Sequence, residues 1–380
     1  MTETTNRALL PAGLRDILPP DAAHEAAVVD RLLRHFAGQG YERVKPPLIE
    51  FEDSLLEGVG SATAGQTFRV MDPLSQKMMG VRADITPQVA RIATTRLGTL
   101  PRPLRLSYAG QVLRVKGSQL RPERQFAQAG IELIGSDSAA ADAEVVALAG
   151  EALADLGAQG VSVDLSLPTL VPALLAAGGL AGPDADRLRE ALDHKDAATV
   201  AATGGDMAPL LQALIAAAGP ADRAIAALNT LTLPPAAAAE RDRLAQVVAL
   251  VRAAAPDLTL TVDPVENRGF EYHTGVGFTL FARASSGELG RGGRYLAGGT
   301  EPATGATLFL DTVLAALPGP DPARRVFLPL GTPRSSAQSL RAQGWITIAG
   351  LDAATDAATE GRRLGCGHRF ADSGVIEIDG

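Results

Sequence analysis

The sequence predicts an α+β fold: an antiparallel sheet flanked by helices, interrupted by a helical insertion and followed by a small α/β domain. Three observations lead to this prediction. Residues 126–133 alternate between apolar positions and polar or glycine positions, as a strand with one face on a core does. Residues from about 170 to 256 are rich in alanine at helical spacing. After a linker at 317–325, short strand-like and helical runs alternate towards the C-terminus.

The elements before the insertion are predicted from helix caps, turn residues and periodicity. In chain order they are a helix at 21–40 with Asp21 as N-cap, a proline-broken strand at 41–50, a hairpin around Asp72-Pro73, a helix from Thr86 to Gly98, the strand at 126–133 and a helix at 139–156. The apolar side of the strand at 126–133 faces the core, so the other side of this strand, with Gln128 and Glu132, is expected to line a cleft.

After the insertion, strand residues resume at Leu258, and a last helix near Ala306–Ala316 is expected to complete the first domain. The run GELGRGGRYLAGG (287–299) is predicted to form a tight turn in which Gly292 and Gly293 bring the backbone close to the cleft. A phosphate-binding loop is the weaker alternative, because the run lacks GK[ST] and does not lie between a strand and a helix.

Two domains are expected. The first covers 1–318 and contains the insertion at about 170–256, and the second covers 325–380 with helices at 335–343 and 355–364. A length of 380 residues, with 46% hydrophobic and 21% charged residues, is typical of a globular protein with a sizeable core.

Charge and composition exclude several classes of protein. A net charge of −8 gives no global basic field for nucleic acid, so no nucleic-acid partner is predicted. The N-terminus lacks the apolar segment of a signal peptide, and apolar runs are too short for a membrane span, so no membrane partner is predicted. The single cysteine, Cys366, excludes an internal disulfide and indicates a cytoplasmic location. The five histidines lack the spacing of a metal site, and no metal or cofactor is expected.

Five runs in the chain, in the same order, resemble those of histidyl-tRNA synthetases, and the match extends from about Leu10 to Leu314. The runs are VRADIT (81–86), YAGQVLRVK (108–116), RQFAQAGIELIG (124–135), NRGFEYHTG (267–275) and RGGRY (291–295). The resemblance implies a class II aminoacyl-tRNA synthetase-like antiparallel sheet. The run at 41–50 resembles motif 1 of that class, which implies a homodimer through the synthetase-like core.

The resemblance also implies a pocket for histidine or a similar amino acid. Such a ligand presents a carboxylate, an ammonium and a ring, which need a cation, carboxylates and hydrogen-bonding groups. Asp84, Thr86 and Glu132 are expected to bind the ammonium and ring, and Arg114 the carboxylate. The full predicted set is Asp84, Thr86, Arg114, Gln128, Glu132, Arg268, Tyr272 and His273. The alternative for any one of these residues is a solvated charge or a structural ion pair.

Three pocket positions depart from the family pattern. Glu271 stands for Asp, His273 for Tyr and Asp84 for Glu. Each change moves a polar group by about one methylene or one ring edge, which alters affinity by ~1–3 kcal/mol. Selectivity for histidine is therefore a separate question from amino-acid binding.

Other departures fall on the residues that the family uses for ATP. Motif 2 normally reads Phe-Arg-x-Glu, and this chain has Leu-Arg-Val-Lys at 113–116. Motif 3 normally ends Gly-Leu-Glu-Arg, and this chain has Phe-Leu-Asp-Thr at 309–312. Adenylate formation needs positive charge on the triphosphate, which Thr312 cannot supply. No catalytic residue is therefore predicted.

An amino-acid pocket without an ATP site resembles the regulatory subunits of ATP phosphoribosyltransferase. That resemblance implies a subunit with no turnover of its own, needed by a short-form catalytic subunit in the first step of histidine biosynthesis and reporting histidine for feedback inhibition. It implies a hetero-octamer, with L-histidine as the ligand. The alternatives are an active histidyl-tRNA synthetase, another ligase or transferase on the same fold, and a free-standing amino-acid-binding protein.

Overall fold

The computed structural model describes residues 9–117, 121–266, 272–283, 285, 287–320, 322–353, 356–372 and 374–378. The chain forms two compact units, Met1–Pro318 and Gly319–Gly380. Both contain helices and strands, so the predicted α+β class is confirmed. Within the described part of the chain, no helix is long and apolar enough to span a membrane.

The first unit contains two sheets and most of the helices. Its strands are β1 (Glu42–Arg43), β2 (Ile49–Phe51), β3 (Phe68–Met71), β4 (Met78–Val81), β5 (Leu104–Leu113), β6 (Gln125–Ile134), β7 (Ser162–Ser166), β8 (Gly219–Pro220), β9 (Thr259–Asp263), β10 (Gly277–Phe281), β11 (Gly290–Ala297) and β12 (Glu301–Phe309). Its α-helices are α1 (Asp21–Gly38), α2 (Glu52–Leu55), α3 (Thr86–Thr95), α4 (Ala139–Leu156), α5 (Leu170–Ala177), α6 (Pro183–Asp193), α7 (Ala197–Thr203), α8 (Ala208–Ala217), α9 (Ala221–Asn229), α10 (Pro235–Ala254) and α11 (Leu310–Ala316). Short 3₁₀ helices occupy Gly58–Gln66 and Gly205–Met207.

The large sheet has the order β1-β5-β6-β12-β11-β10-β7-β9-β8. Its centre is antiparallel, whereas β1 pairs with β5 and β7 pairs with β9 in parallel. The small sheet, β2-β4-β3, contains the predicted hairpin around Asp72-Pro73, which is confirmed as the antiparallel pair β3 and β4.

Strand β6 shows why the large sheet has two different faces. The side chains of Ala127, Ala129, Ile131 and Leu133 pack into the main core against α4, as their alternation predicts. The intervening residues face the other side, where α3 and two buried tyrosines form a second core. Helix α4 begins and ends at the predicted residues, and the Ser138 side chain caps it by accepting a hydrogen bond from the Ala141 amide.

The insertion is mainly helical, as predicted, but it also contributes strand β8 to the sheet edge. A proline is tolerated there because an edge strand leaves one side without ladder hydrogen bonds. Apolar side chains of α5 to α10 belong to the same core cluster as α4 and the sheet. The insertion therefore packs as part of the first unit.

Three local predictions were wrong. The last helix begins at Leu310 rather than Ala306, because β12 stays paired with β6 as far as Phe309. The glycine-rich run at 287–299 contains the whole of strand β11 rather than a tight turn at Gly292 and Gly293, since residues 290–297 pair with β12. Asp21 is the first residue of α1, and no side chain caps that helix at Pro20.

The second unit has a small sheet of its own. Its strands, in the order β14-β13-β15-β16, are β13 (Arg325–Leu328), β14 (Ile346–Ala349), β15 (His368–Ala371) and β16 (Gly374–Glu377). Its helices are α12 (Arg334–Ala342) and α13 (Ala357–Arg363), close to the predicted bounds, although Thr355 lies outside the described residues. A separate small core lies between β13 and α12.

A buried ion pair ties β11 to the start of α4. Arg294, 3% exposed, donates to the carboxylate of Asp142, which is 2% exposed, and to the carbonyl of Ser136 at 2.9 Å. Arg243 also donates to Asp142, at 2.9 Å. Removing one partner of a buried pair leaves the other poorly compensated in a low-dielectric region.

We expect Arg294→Met to lower the free energy of unfolding by about 3 kcal/mol, because Asp142 loses its main cation. Arg189→Met is a matched control: Arg189 lies 3.8 Å from Asp186, but both side chains are exposed at 45% and 75%. That change should cost less than ~0.5 kcal/mol. Urea denaturation measures both, and equal losses would contradict the assigned role of the pair.

Candidate functional site

A cavity of about 200 Å³ opens on the α3 side of the large sheet. The loop between β4 and α3, the ends of β5 and β12, and the strands β6 and β11 supply its walls, together with residues that precede β10. Six predicted site residues line it: Asp84, Thr86, Arg114, Glu132, Tyr272 and His273. Arg268 and the neighbouring Glu271 lie outside the described residues.

The carboxylate of Glu132 forms the floor of the cavity. It is 1% exposed and is held by hydroxyl groups, with the Tyr295 hydroxyl donating at 2.8 Å and the Tyr108 hydroxyl at 3.4 Å. The pKa of Glu132 is raised from 4.5 to about 8, mainly by burial and also by the charge of Asp84, while hydrogen bonds from the hydroxyls of Tyr295, Thr86 and Tyr108 partly oppose the rise. An isolated buried carboxylate is favourable only when a cation approaches or a proton is bound.

Two further hydroxyl contacts fix the donors around Glu132. The hydroxyls of Tyr108 and Thr307 are 2.7 Å apart, and those of Thr86 and Tyr108 are 3.2 Å apart. The sheet register places Gly305 directly opposite Glu132. A Cβ atom at Gly305 would overlap the Glu132 carboxylate, so only glycine leaves room for it.

Asp84 and Gln128 act together at one wall. The Gln128 amide group donates to Asp84 at 3.0 Å, and its oxygen accepts a hydrogen bond from the Ile85 amide at 3.2 Å. Asp84 also accepts from the Thr86 amide at 2.9 Å. Gln128 is fully buried behind Asp84 and does not line the cavity, so it positions the loop.

Arg114 provides a positive charge at the cavity wall. Its Nε donates to the carbonyl of Ala83 at 3.3 Å, and its guanidinium lies 5.0 Å from the centre of the Phe126 ring. Burial lowers the pKa of Arg114, and the carboxylate of Asp84 opposes that shift. The guanidinium of an arginine remains charged even when it is buried, so Arg114 can pair with an anionic ligand.

Aromatic rings form the remaining wall. The rings of Tyr272 and His273 stack at 4.4 Å with an angle of 27°, and Tyr272 meets Tyr295 edge-on at 6.2 Å. Gly293 lies against His273, where a Cβ would overlap the imidazole, and its φ of +151° is one that side chains rarely adopt. The glycine-rich run therefore brings backbone close to the cavity, as expected, although as a strand.

Sequence reasoning missed several cavity residues, notably Tyr295, Arg291 and Thr307. Arg291, Gly293 and Tyr295 share one face of β11 because side chains alternate along a strand. The alternation along 291–295 is the feature of the sequence that could have predicted these cavity residues. It was not recognised because the glycines were interpreted as a turn.

The segments that resemble motifs 2 and 3 make internal contacts. The Thr312 hydroxyl donates to the Glu288 carbonyl at 2.7 Å, and the Asp311 carboxylate pairs with Arg121 at 3.1 Å. Lys116 is exposed, and its amide donates to the Gln66 side chain at 3.4 Å. Among the described residues, no group of three His, Cys, Asp or Glu side chains is placed to hold a metal ion.

Comparison with known proteins identifies the family. The profile of the family described as Histidyl-tRNA synthetase matches residues 13–313. An ATP phosphoribosyltransferase regulatory subunit from Paramagnetospirillum magneticum is 72% identical over 379 residues, which is 100% of both chains. The chain belongs to the ATP phosphoribosyltransferase regulatory subunit family.

Solved structures agree with the fold of this regulatory-subunit family. An ATP phosphoribosyltransferase regulatory subunit/histidyl-tRNA synthetase from Bacillus halodurans C superimposes with a TM-score of 0.80 and 25% identity, covering 93% of this chain and 96% of the other. A chain of the ATP phosphoribosyl transferase (HisG:HisZ) complex from Thermotoga maritima has a TM-score of 0.60 and 19% identity, covering 75% of this chain and 97% of the other. The second likeness is one of fold alone.

The pKa of Glu132 gives a testable pH dependence for a subunit of this family. Because the folded-state pKa lies above 4.5, at about 8, the folded chain binds this proton more tightly than the unfolded chain between those values. The contribution of Glu132 to stability is therefore greatest at low pH and is lost as the pH rises to about 8. Glu132→Gln removes the ionisation but keeps an acceptor for Tyr295.

We expect the Glu132→Gln variant, without ligand, to gain stability relative to wild type by up to ~1.4 kcal/mol per pH unit as the pH rises from 6 towards 8. Urea denaturation at three pH values measures the difference. If the two stability curves run parallel, the Glu132 carboxyl titrates in its ordinary range.

Proposed function

We propose that this chain is the non-catalytic regulatory subunit required for ATP phosphoribosyltransferase activity in the first step of histidine biosynthesis. The observation that carries the proposal is the 72% identity over the whole length with a regulatory subunit of that name. The cavity adds a physical reason, since it offers groups for an amino acid but not for a triphosphate.

The ligand of the cavity is proposed to be L-histidine. Asp84 and Thr86 are suited to the ammonium group, Arg114 to the carboxylate, and Glu132 at the floor to the imidazole ring. The stacked pair Tyr272 and His273 would lie beside that ring. A volume of about 200 Å³ fits one small ligand, because it lies below the ~300–1,000 Å³ of pockets for drug-sized molecules.

A synthetase activity is the alternative, and the contacts of the motif segments argue against it. Adenylate chemistry needs cations directed at the phosphates. Thr312 is neutral and bonds to the backbone, and Asp311 is paired with Arg121. Lys116 stands where the family has the acid that helps to position ATP, which reverses the charge at that site. The ATP site is therefore proposed to be degenerate.

The partner is proposed to be the short-form catalytic subunit, in a hetero-octamer. A chain of similar fold occurs in the solved complex from Thermotoga maritima. A subunit without its own chemistry can act only by binding one state of a partner more tightly than another. Histidine in the cavity would change that preference and so report the product of the pathway. We propose that both subunits work in the cytoplasm.

Self-association through the small sheet is also proposed. Phe51 and Val70 pair with the same residue, Met79, so the three side chains share one face. Phe51 is 44% and Val70 is 47% exposed, and Ile49 on the same face is 37% exposed. An apolar sheet face of this kind favours burial against a second copy of the chain.

The proposed function predicts activation of a partner. The purified chain should give no turnover alone, whereas mixing it with a short catalytic ATP phosphoribosyltransferase should raise phosphoribosyl-ATP formation, on the order of the 5- to 150-fold that typical coupling energies allow. Added histidine should lower that rate. Failure of the two proteins to co-elute or to change the rate would reject the proposal, and histidine-dependent pyrophosphate exchange by the chain alone would favour a synthetase.

The proposed ligand predicts a thermal shift. L-Histidine should raise the melting temperature by binding only the folded state. Arg114→Ala should abolish the shift because the ligand carboxylate loses its cation, whereas Arg189→Ala, a change at an exposed arginine of the insertion, should retain it in full. Equal stabilisation of wild type and Arg114→Ala, measured by differential scanning fluorimetry, would place histidine outside this cavity.

A further inference from the structure

Cationic and aromatic side chains of the protein stack on one another at the wall of the cavity that Phe309 forms. Phe309, the last residue of β12, is 2% exposed and lines the cavity. The Arg121 guanidinium lies 4.0 Å from the centre of the Phe309 ring and 5.3 Å from that of Phe126. The two phenylalanine rings meet edge-on at 6.1 Å. The planar guanidinium of Arg121 thus stacks on the ring of Phe309, and the ring of Phe126 lies beside them.

Buried ionic contacts hold Arg121 in this position. The guanidinium is 3.1 Å from the Asp311 carboxylate, 3.7 Å from the Glu288 carboxylate and 3.3 Å from the Glu288 carbonyl. The Thr312 hydroxyl donates to the same carbonyl at 2.7 Å. Arginine is suited to this role because its planar group stacks and donates in fixed directions at once. Arg121 is only 8% exposed, so moving it into solvent would leave Asp311 buried without its cation.

Phe309, Asp311 and Thr312 come from the segment that resembles motif 3, and Arg121 lies in the chain between the runs at 108–116 and 124–135. At the motif 3 position the chain has Phe309 where the family pattern has glycine, and a glycine would leave the space open. A planar base binds proteins by stacking on aromatic rings, and the Arg121 guanidinium occupies that kind of position on Phe309. Loss of ATP contacts alone would not require such a packed arrangement.

We infer that Arg121 and Phe309 form a built-in plug that excludes a purine base from the cleft and limits the cavity to one small ligand. The inference deepens the proposed function, on which it rests, by naming the side chains that decide which class of ligand enters. Arg121 acts by occupying space and stacking, so it is a specificity determinant and not a catalytic residue.

The test removes the plug and offers an uncharged base. The variant Arg121→Ala/Phe309→Gly/Asp311→Asn deletes both stacked groups and avoids an unpaired buried carboxylate. Adenosine is the probe, because it has no phosphate for Glu288 to repel. Isothermal titration should show adenosine binding at least about tenfold tighter than to wild type, in line with the strength of base stacking. The variant should still lack adenylate chemistry, since Thr312 and Lys116 are unchanged.

A matched control removes a similar stack elsewhere. Arg324 lies 4.2 Å from the ring centre of Trp345 in the second unit, and Arg324→Ala should leave adenosine binding at the wild-type level. If the triple variant fails to fold, Arg121→Gln/Asp311→Asn keeps a hydrogen bond across the pair and should bind adenosine about fivefold tighter than wild type, at the lower end of the strength of base stacking.

The outcomes separate the plug from the proposed function. A folded variant, by circular dichroism, whose adenosine affinity equals that of wild type overturns the plug. Wild-type binding of adenosine as tight as that of the variant overturns it as well. Activation of the catalytic subunit by the wild-type chain is measured separately, so a failed activation with restored adenosine binding rejects the function and leaves the plug in place.

Discussion

The cavity depends on one register between two strands. Strands β6 and β12 pair so that Glu132 lies opposite Gly305, which gives the carboxylate room at the floor of the cavity. A shift of one residue would turn Glu132 towards the main core and bring Ile131 or Leu133 to the cavity, because side chains alternate along a strand. The hydrogen-bonded sheet therefore decides which chemical groups line the cavity.

A second feature is the way in which the charged groups near the cavity are paired. The inner half keeps charged and hydroxyl groups directed at open space, as Asp84, Arg114 and Glu132 show. The outer half directs comparable groups at one another, as the pairing of Arg121 with Asp311 shows. This division supports the proposal of binding without turnover, because the Arg121 cation is already paired with Asp311 and is not directed at a phosphoryl group.

The sequence alone was sufficient where apolar residues recur at a regular spacing. The alternation at 126–133 predicts β6 with the correct faces and to within one residue at each end, and the helix predicted at 139–156 has the bounds of α4. The sequence was not sufficient where glycine is compatible with two structures. In β11 the glycines allow close approach of the backbone within a strand, whereas a turn was predicted, and Tyr295 was missed as a result. The position of Arg121 could not be predicted, since its contacts join a loop to residues near 288 and 311 that are far away in sequence.

The shared core of the insertion has a consequence for how such a protein evolves. Helices α5 to α10 contribute side chains to the cluster that also supports the sheet, whereas the C-terminal unit has its own core. Recombination that removed the insertion would expose apolar side chains of the sheet that now pack in this shared core. The insertion is therefore expected to be inherited together with the strands that carry the cavity. Exchange of the C-terminal unit would leave the first core whole, and it is the part of the chain most open to replacement by a module with another role.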